Sequence, residues 1–249
     1  IGKHSRHEII STYFLQVLQP DGSYSCPNKN MQLTKSIHAV LSYDLNIRRN
    51  LHLKTEFYYQ YLYDIPVRNV TPYVLAPINN SYRRDSLFNC GTGRNYGVEI
   101  TLERFFSKGF YFMSATSLFD AKIDPGNDTL YHTKYNARFA QTIVGGKEFE
   151  VGVNKQKLLG INAKILWTGG NRGKFKGDSL NPADPQDRFG KQFKDYFRID
   201  ISISYRTNKP KVSHVISFDV QNATNRDNWV NRKTQQTGII PVFNYRVEF

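Results

Sequence analysis

The 249-residue sequence predicts an all-β protein: an antiparallel up-and-down transmembrane β-barrel, of which about ten strands are present. Three observations carry this. Several segments alternate apolar and polar residues over lengths well beyond the about five or six residues of an ordinary globular strand. The connections between them alternate strictly between short and long, as in a barrel with tight turns at one rim and extended loops at the other. Phe, Tyr and Trp make up 14% of the residues, and Tyr and Phe recur at strand ends, where the aromatic girdles of a membrane barrel sit. Mean hydropathy is -0.54, and no run approaches the roughly 18 apolar residues of a membrane helix. Alternation hides the hydrophobicity of barrel strands from such averages.

Taken in order, residues 7–18 are β-rich without a clear face, and residues 19–30 form a loop by their Pro, Asp-Gly and Asn content. The next strand, 33–47, sets Ile37, Ala39, Leu41, Tyr43 and Leu45 against Ser36, His38, Ser42, Asp44 and Asn46. After a turn at 48–50 comes the cleanest strand. Leu51, Leu53, Thr55, Phe57, Tyr59, Tyr61 and Tyr63 share one face, and His52, Lys54, Glu56, Tyr58, Gln60, Leu62 and Asp64 the other. Residues 65–92, with Pro66, Pro72 and Pro77, are read as a large loop. Strands follow at 94–106 and 110–121 around a turn at 107–109, then at 135–149 and 159–167 around a short connection at 150–156. A second very long loop, 169–194, leads to strands at 197–205 and 212–220, joined by a turn at 208–210, and a loop at 222–238 leads to the last strand.

That last strand carries Ile239, Pro241, Phe243, Tyr245, Val247 and Phe249 on one face and Ile240, Val242, Asn244, Arg246 and Glu248 on the other. An apolar stripe running to the final residue is tied down along its length, so Phe243, Tyr245, Val247 and Phe249 are expected to mark the barrel-closing strand. The sequence opens on Ile1-Gly-Lys-His-Ser-Arg, without Met or the features of a signal peptide, and is expected to begin inside a longer chain.

Motifs for chemistry are weak. Gly91-Thr-Gly-Arg-Asn-Tyr-Gly97 has one residue too many before its last glycine for a dinucleotide fingerprint and leads into a strand instead of a helix. Gly145-Gly-Lys147 lacks the spacing of a phosphate loop. Neither Gly-x-Ser-x-Gly nor His-Glu-x-x-His occurs, and His4, His7 and Glu8 read as solvated polar residues in preference to metal ligands. The predicted reading is therefore non-enzymatic, with no cofactor or metal. Net charge is +13, which first suggests nucleic acid. The cations are spread over turns, loops and strand positions with no single basic face, which argues against a nucleic-acid groove. External Lys and Arg are suited to lipopolysaccharide phosphates or an anionic ligand, or form a mixed solvated surface. Cys26 and Cys90 fall in two long loops on the same side. A bridge between them would close a loop of about 65 residues and stabilise by about 4 kcal/mol in the chain-entropy model; the alternative is two separate thiols.

The segments 91–111, Gly145-Gly-Lys-Glu-Phe149, Asp195-Tyr-Phe-Arg-Ile-Asp200, Asp219-Val-Gln-Asn-Ala-Thr-Asn-Arg226 and 238–249 together resemble the C-terminal half of the barrel of a TonB-dependent outer-membrane receptor. The resemblance is closest to the type with a carboxypeptidase-regulatory-like domain before the plug, and it covers about residue 30 to the end. It implies a barrel of about 22 strands around a plug, with residues 1–249 supplying the C-terminal part and the plug and earlier strands lying outside them. It further implies the outer membrane of a Gram-negative bacterium and, as partners, the TonB energy complex reached through the N-terminal part, the protein's own plug, and outer-membrane lipid and lipopolysaccharide. The cargo would be a scarce nutrient such as a siderophore, cobalamin, peptide or glycan, imported into the periplasm. Lys54, Glu56, Glu99, Glu103, Arg138, Arg198, Asp200 and Arg206 are then the candidate lumen- or plug-facing residues, and loops 65–92 and 169–194 the expected ligand contacts. The alternatives are a complete small outer-membrane barrel acting as adhesin or enzyme, with a carboxylate and His cluster at its loop side, and a soluble basic β-sandwich for nucleic acid, with stacking aromatics on one face.

Overall fold

The computed structural model describes residues 1–68, 74–75, 86–152, 156–173, 189–229 and 234–249. Its elements in chain order are β1 (Gly2–Arg6), α1 (Ile10–Tyr13), β2 (Val17–Leu18), β3 (Tyr24–Ser25), β4 (Thr34–Arg48), β5 (Leu51–Arg68), β6 (Val74–Leu75), β7 (Leu87–Ser107) and β8 (Phe110–Asp124). The chain continues through β9 (Tyr131–His132), β10 (Phe139–Val151), β11 (Lys157–Thr168), β12 (Tyr196–Asn208), β13 (Ser213–Gln221) and β14 (Ile240–Glu248). One antiparallel sheet runs β1-β4-β5-β7-β8-β10-β11-β12-β13-β14, with β6 on β5 and β9 on β8, while β2 and β3 pair apart from it. Neighbours in sequence are neighbours in the sheet, so the order is up-and-down as predicted. The sheet is not closed: β1 and β14 end the path and do not pair with each other among the described residues.

Several elements differ from the sequence reading. Residues 7–18 are not a strand of the sheet. Ile9 and Ile10 are adjacent, as are Phe14 and Leu15, so no period of two exists, and the segment forms α1 and β2. The first strand is instead β1, paired with β4 from Gly2↔His38 to Arg6↔Thr34. β5 and β7 run past the expected loop boundaries to Arg68 and from Leu87, and remain paired across register shifts near Leu62, Ile65 and Pro66. β10 starts at Phe139 instead of residue 135, because Arg138 has φ 70° and breaks the strand there.

Register makes the faces continuous. On one face Leu41, Phe57, Val98, Leu118 and Phe139 form a rung across β4, β5, β7, β8 and β10. Ile161, Ile203, Phe218 and Phe243 form another across β11 to β14. Seven of these nine side chains are exposed, Leu41 by 71%, Phe57 by 53% and Phe243 by 68%, while Val98 and Phe139 are half-buried. The buried hydrophobic residues, by contrast, are only Leu15, Val67, Leu87, Ile123 and Ala137 among the described residues. A water-soluble chain of this length would bury far more, and a monomer rarely exposes an apolar patch beyond a few hundred Å². The apolar surface here is organised outward. The opposite face is polar, and across β10 to β14 it carries a concavity of about 740 Å³ lined by Gly160, Asn162, Ser202, Ser204, Ser217 and Asn244.

Turns at one end are tight. Lys108 (φ 54°) and Gly109 (φ 72°) both take positive φ between β7 and β8, as a two-residue hairpin turn requires. Every long connection leaves from the other end, where the small buried cluster of Val67 and Ile123 with Ile65 and Cys90 lies.

Candidate functional site

The polar face is built from alternate residues of the same strands. On β5, Lys54 Nζ lies 2.8 Å from Glu56 Oε2. Glu56 stands directly across from Glu99 on β7, and His52 across from Glu103. Like charges opposite each other are unfavourable in a sheet, and Lys54 offsets the pair. Toward the C-terminus, Arg198 lies 2.6 Å from Asp200, and Arg206 and Arg246 share Glu248 at 2.8 and 2.9 Å. Seven of the eight candidate inward residues therefore occupy the polar face. Arg138 does not: it sits in the turn before β10, exposed, close enough to His132 and Arg172 to act on both electrostatically.

Two tyrosines on this face reveal a device that the sequence reading passed over. Tyr58 is paired with Gly97 and lies across it, with a hydrogen bond to Ser117 on the next strand. Tyr111 likewise spans Gly146, and its hydroxyl donates to Asn162 Oδ1 at 3.0 Å on the strand beyond. A Cβ at Gly97 would overlap the Leu118 carbonyl and approach Tyr58 Oη at 2.8 Å; one at Gly146 would overlap Asn162 and meet the Tyr111 ring at 2.8 Å. Both glycines lie in the motifs dismissed as nucleotide loops. Glycine inside a strand, facing an inward aromatic, was the available signal.

At the loop end, buried asparagines replace missing strand partners. Asn228, fully buried, donates Nδ2 to the Phe197 carbonyl at 2.9 Å and accepts the Phe197 amide at 3.0 Å, copying a β pairing. Asn222 donates its amide to Asp200 Oδ1 at 2.9 Å and its Nδ2 to the Arg226 carbonyl at 3.1 Å. Asn225 Oδ1 accepts the Ile239 amide at 3.0 Å. The segment 219–226 is thus a knot that holds the ends of β12, β13 and β14 in place. Arg226 reaches Asp195 at 2.7 Å, and Trp167 Nε1 donates to the same carboxylate at 2.7 Å. Burial raises the pKa of Asp195, but these two donors outweigh it and hold the carboxyl below its usual range.

A second knot joins the loops after β8 and β11. Asn136 Nδ2 donates to Asp120 Oδ1 at 2.6 Å and to His132 Nδ1 at 2.8 Å, so the His132 proton resides on Nε2 in this arrangement. Arg172, buried, donates to the carbonyls of Asn136 and Gly190 at 3.0 Å each. Burial, followed by the charge of Arg138, lowers the pKa of Arg172; burial, followed by Arg172, lowers that of His132. On the other side, Asn28 donates to the Thr12 carbonyl at 3.1 Å and accepts the Leu87 amide at 2.8 Å, docking the first loop on β7.

Of the two arrangements open to the cysteines, a bridge or two separate thiols, the structure has the second. Cys26 and Cys90 are both free thiols. Cys90 turns into the small core beside Val67 and Ile123, 3.7 Å from the Pro125 carbonyl, whereas Cys26 is exposed. On the final strand, Phe243 and Tyr245 are exposed on the apolar face beside Phe218 and Ile216, and Val247 stands opposite His214. β14 pairs along one edge, with β13; its other edge carries no partner among the described residues. Much of the loops expected to contact ligand, including Arg83, Arg84, Lys174 and Lys176, lies outside the described residues, as do Arg232 and Lys233. No group of three or more His, Cys, Asp or Glu suited to a metal occurs among the described residues.

Long up-and-down strands, a largely apolar face and a polar one with a concavity define an up-and-down β-barrel fold, present here as an unclosed section. Solved structures of this fold include the ferric yersiniabactin uptake receptor FyuA from Yersinia pestis, with a TM-score of 0.58 at 14% identity over 86% of this chain and 29% of that one. The FrpB iron transporter from Neisseria meningitidis (F3-3 variant) gives 0.58 at 13% identity over 88% and 31%. The ferric-catecholate import receptor Fiu from E. coli K12 gives 0.58 at 15% over 93% and 30%. The chain spans about 30% of the length of these receptors, and at these identities the likeness is one of fold. No family model and no curated protein matches the sequence.

Proposed function

We propose that the chain forms the C-terminal part of the barrel of a TonB-dependent outer-membrane receptor that binds a scarce small-molecule or oligomeric nutrient and admits it to the periplasm. The observation that supports this most is the division of one sheet into a predominantly apolar face and a polar, ion-paired face, which suits lipid outside and a hydrated, filled interior. In this reading Lys54, Glu56, Glu99, Glu103, Arg198, Asp200 and Arg206 face the lumen, where the ion pairs would meet a plug. β14 would close against a strand outside residues 1–249. The long connections are external and carry ligand recognition, and the three receptors of like fold favour a small chelate as cargo.

Deletion of the gene tests the reading. It is expected to abolish saturable uptake of the limiting nutrient, and inactivation of TonB is expected to give the same loss with the receptor still in the outer membrane. Uptake that survives loss of TonB, or a protein recovered in the soluble fraction, overturns it.

A further inference from the structure

We propose that the concavity on the polar face of β10–β14 is a transit site, the stretch of lumen wall along which a solute presenting uncharged hydroxyl or amide groups passes; the inference rests on the receptor reading above. The wall recedes there because its side chains are small. On one rung Gly160 stands across from Ser204, and Ser204 across from Ser217; on the next, Asn162 stands across from Ser202. The same strands turn Ile161, Ile203 and Phe218 to the other face, so the small residues are confined to the polar side. Two other glycines on that side are covered, Gly97 by Tyr58 and Gly146 by Tyr111, whereas the closest atom to a Cβ at Gly160 is the Ser204 hydroxyl oxygen, at 2.5 Å. A glycine inside a strand marks a place where a ligand or another backbone approaches closely, and among the described residues nothing larger than that serine covers Gly160.

Shape and chemistry both favour passage over tight holding. The volume of about 740 Å³ lies in the range that holds a small molecule. From Ser202 to Arg206 the hollow follows the strand for about 13 Å, and strands are the direction in which a barrel crosses the membrane. The hydroxyls of Ser202, Ser204 and Ser217 make no hydrogen bond to another described residue. Each can donate and accept, and none carries charge, so they replace a solute's water without trapping it, the balance that conduction requires. Charged groups flank the hollow instead of flooring it. Arg206 and Arg246, joined through Glu248 at 2.8 and 2.9 Å, lie at its turn side, and Lys164 stands across from Asp200 on the rung toward the loops. The wall of β5 and β7 is built the other way, with the long charged side chains of Lys54, Glu56, Glu99 and Glu103, which suit fixed ion pairs.

The test uses the full chain in the outer membrane of intact cells, with Cys26→Ser and Cys90→Ala so that one introduced thiol reports alone. Ser204→Cys and Ser217→Cys place that thiol in the concavity, Thr101→Cys places it on the β7 wall, and the probe is a glucosyl-linked maleimide added from outside. Labelling of Ser204→Cys and Ser217→Cys is expected to be about 10-fold faster with TonB active than in cells lacking it, as for a path open in about a tenth of molecules at rest. Labelling of Thr101→Cys should change by less than about twofold on the same basis. Ser202→Val with Ser217→Val, which removes the hydroxyls, should slow labelling of Ser204→Cys about 10-fold relative to Ser202→Thr with Ser217→Thr, which keeps them. A TonB-dependent rise at Thr101→Cys as large as at the serine positions, or a rise at Thr101→Cys alone, overturns this inference and leaves the receptor reading standing. Equal labelling in the Val and Thr pairs overturns the role given to the hydroxyls. Labelling that ignores TonB at all three positions sinks the receptor reading itself.

Discussion

The two faces of the sheet are made from the same strands but by different physics. The apolar face asks mainly for hydrophobic side chains at alternate positions: Ile, Leu, Val, Phe and Tyr occupy most of its rungs in no fixed pattern, and they are exposed or half-buried. The polar face depends on particular neighbours. Arg206 and Arg246 need Glu248, Tyr111 needs both Gly146 and Asn162, and Tyr58 needs Gly97. One face is therefore specified by composition and the other by geometry, and the same substitution should have unlike effects on the two.

The largest contrast is expected from charge. Ile203→Arg places a cation among Ile161, Phe218 and Phe243 on the apolar face and should cost about 2–4 kcal/mol if that face meets lipid at mid-depth. Ser204→Arg, one residue along and facing the polar concavity, should cost no more than about 1 kcal/mol, the range of ordinary surface changes. Denaturant unfolding of the full chain in phospholipid vesicles measures both. Equal costs would remove the basis for assigning the faces.

Adjacent glycines give the next test. Gly146→Ala drives a methyl into Asn162 and the Tyr111 ring, whereas at Gly145, on the other face, the nearest atom to a new Cβ is the Tyr111 carbonyl oxygen at 3.3 Å. The first should destabilise by about 1–3 kcal/mol, as overpacking does, and the second by clearly less. Tyr111→Phe, which removes only the hydroxyl bond to Asn162, should cost about 1 kcal/mol. A Gly146→Ala variant as stable as Gly145→Ala would show that Tyr111 is not held over the glycine. Of similar or smaller size is Asn228→Ala, which leaves the Phe197 amide and carbonyl unpaired. It should cost about 1–3 kcal/mol and speed hydrogen exchange at Phe197 while leaving the rungs of β12 protected.

These contrasts also explain what was legible in the sequence. Alternation marked the strands from Leu51 to Asp64 and from Phe197 to Tyr205 because a sheet with one apolar and one polar face writes a period of two. Turn chemistry placed the hairpin at Lys108 and Gly109. The extension of β5 to Arg68 and β7 to Leu87 was hidden by Pro66 and by the register shifts that admit it. The asparagine knots escaped because Asn was read as a loop former, whereas Asn28, Asn136, Asn222 and Asn228 are almost wholly buried and act as backbone substitutes. The choice between a bridge and two separate thiols at Cys26 and Cys90 was hidden for a related reason. Loop membership placed Cys90 near Cys26, but Cys90 belongs to a strand whose face turns it toward Ile123 and Pro125.

The smallest expected effect lies where the two faces meet, at the knot around His132. Its imidazole is faced by Asp120 and Lys122 from β8, by Arg138 from the turn before β10, and by Arg172 from beyond β11. Burial, then Arg172, depresses its pKa below the ordinary 6.5, and only Asp120 opposes. Above that ordinary value, knotted and opened states are both neutral and His132 contributes no pH dependence. As pH falls through 6.5 the opened state takes up a proton first, so the knot weakens, and the loss levels off once pH passes below the pKa of the knotted state. Protonation also removes the Nδ1 acceptor used by Asn136. Hydrogen exchange of residues 131–138, corrected for its intrinsic pH dependence, should therefore be faster at about pH 5 than at neutral pH. His132→Gln, which retains an acceptor without titrating, should flatten the difference. A wild-type profile already flat across that range would mean that Asp120 compensates fully and that the knot is held by Asn136 and Arg172 alone.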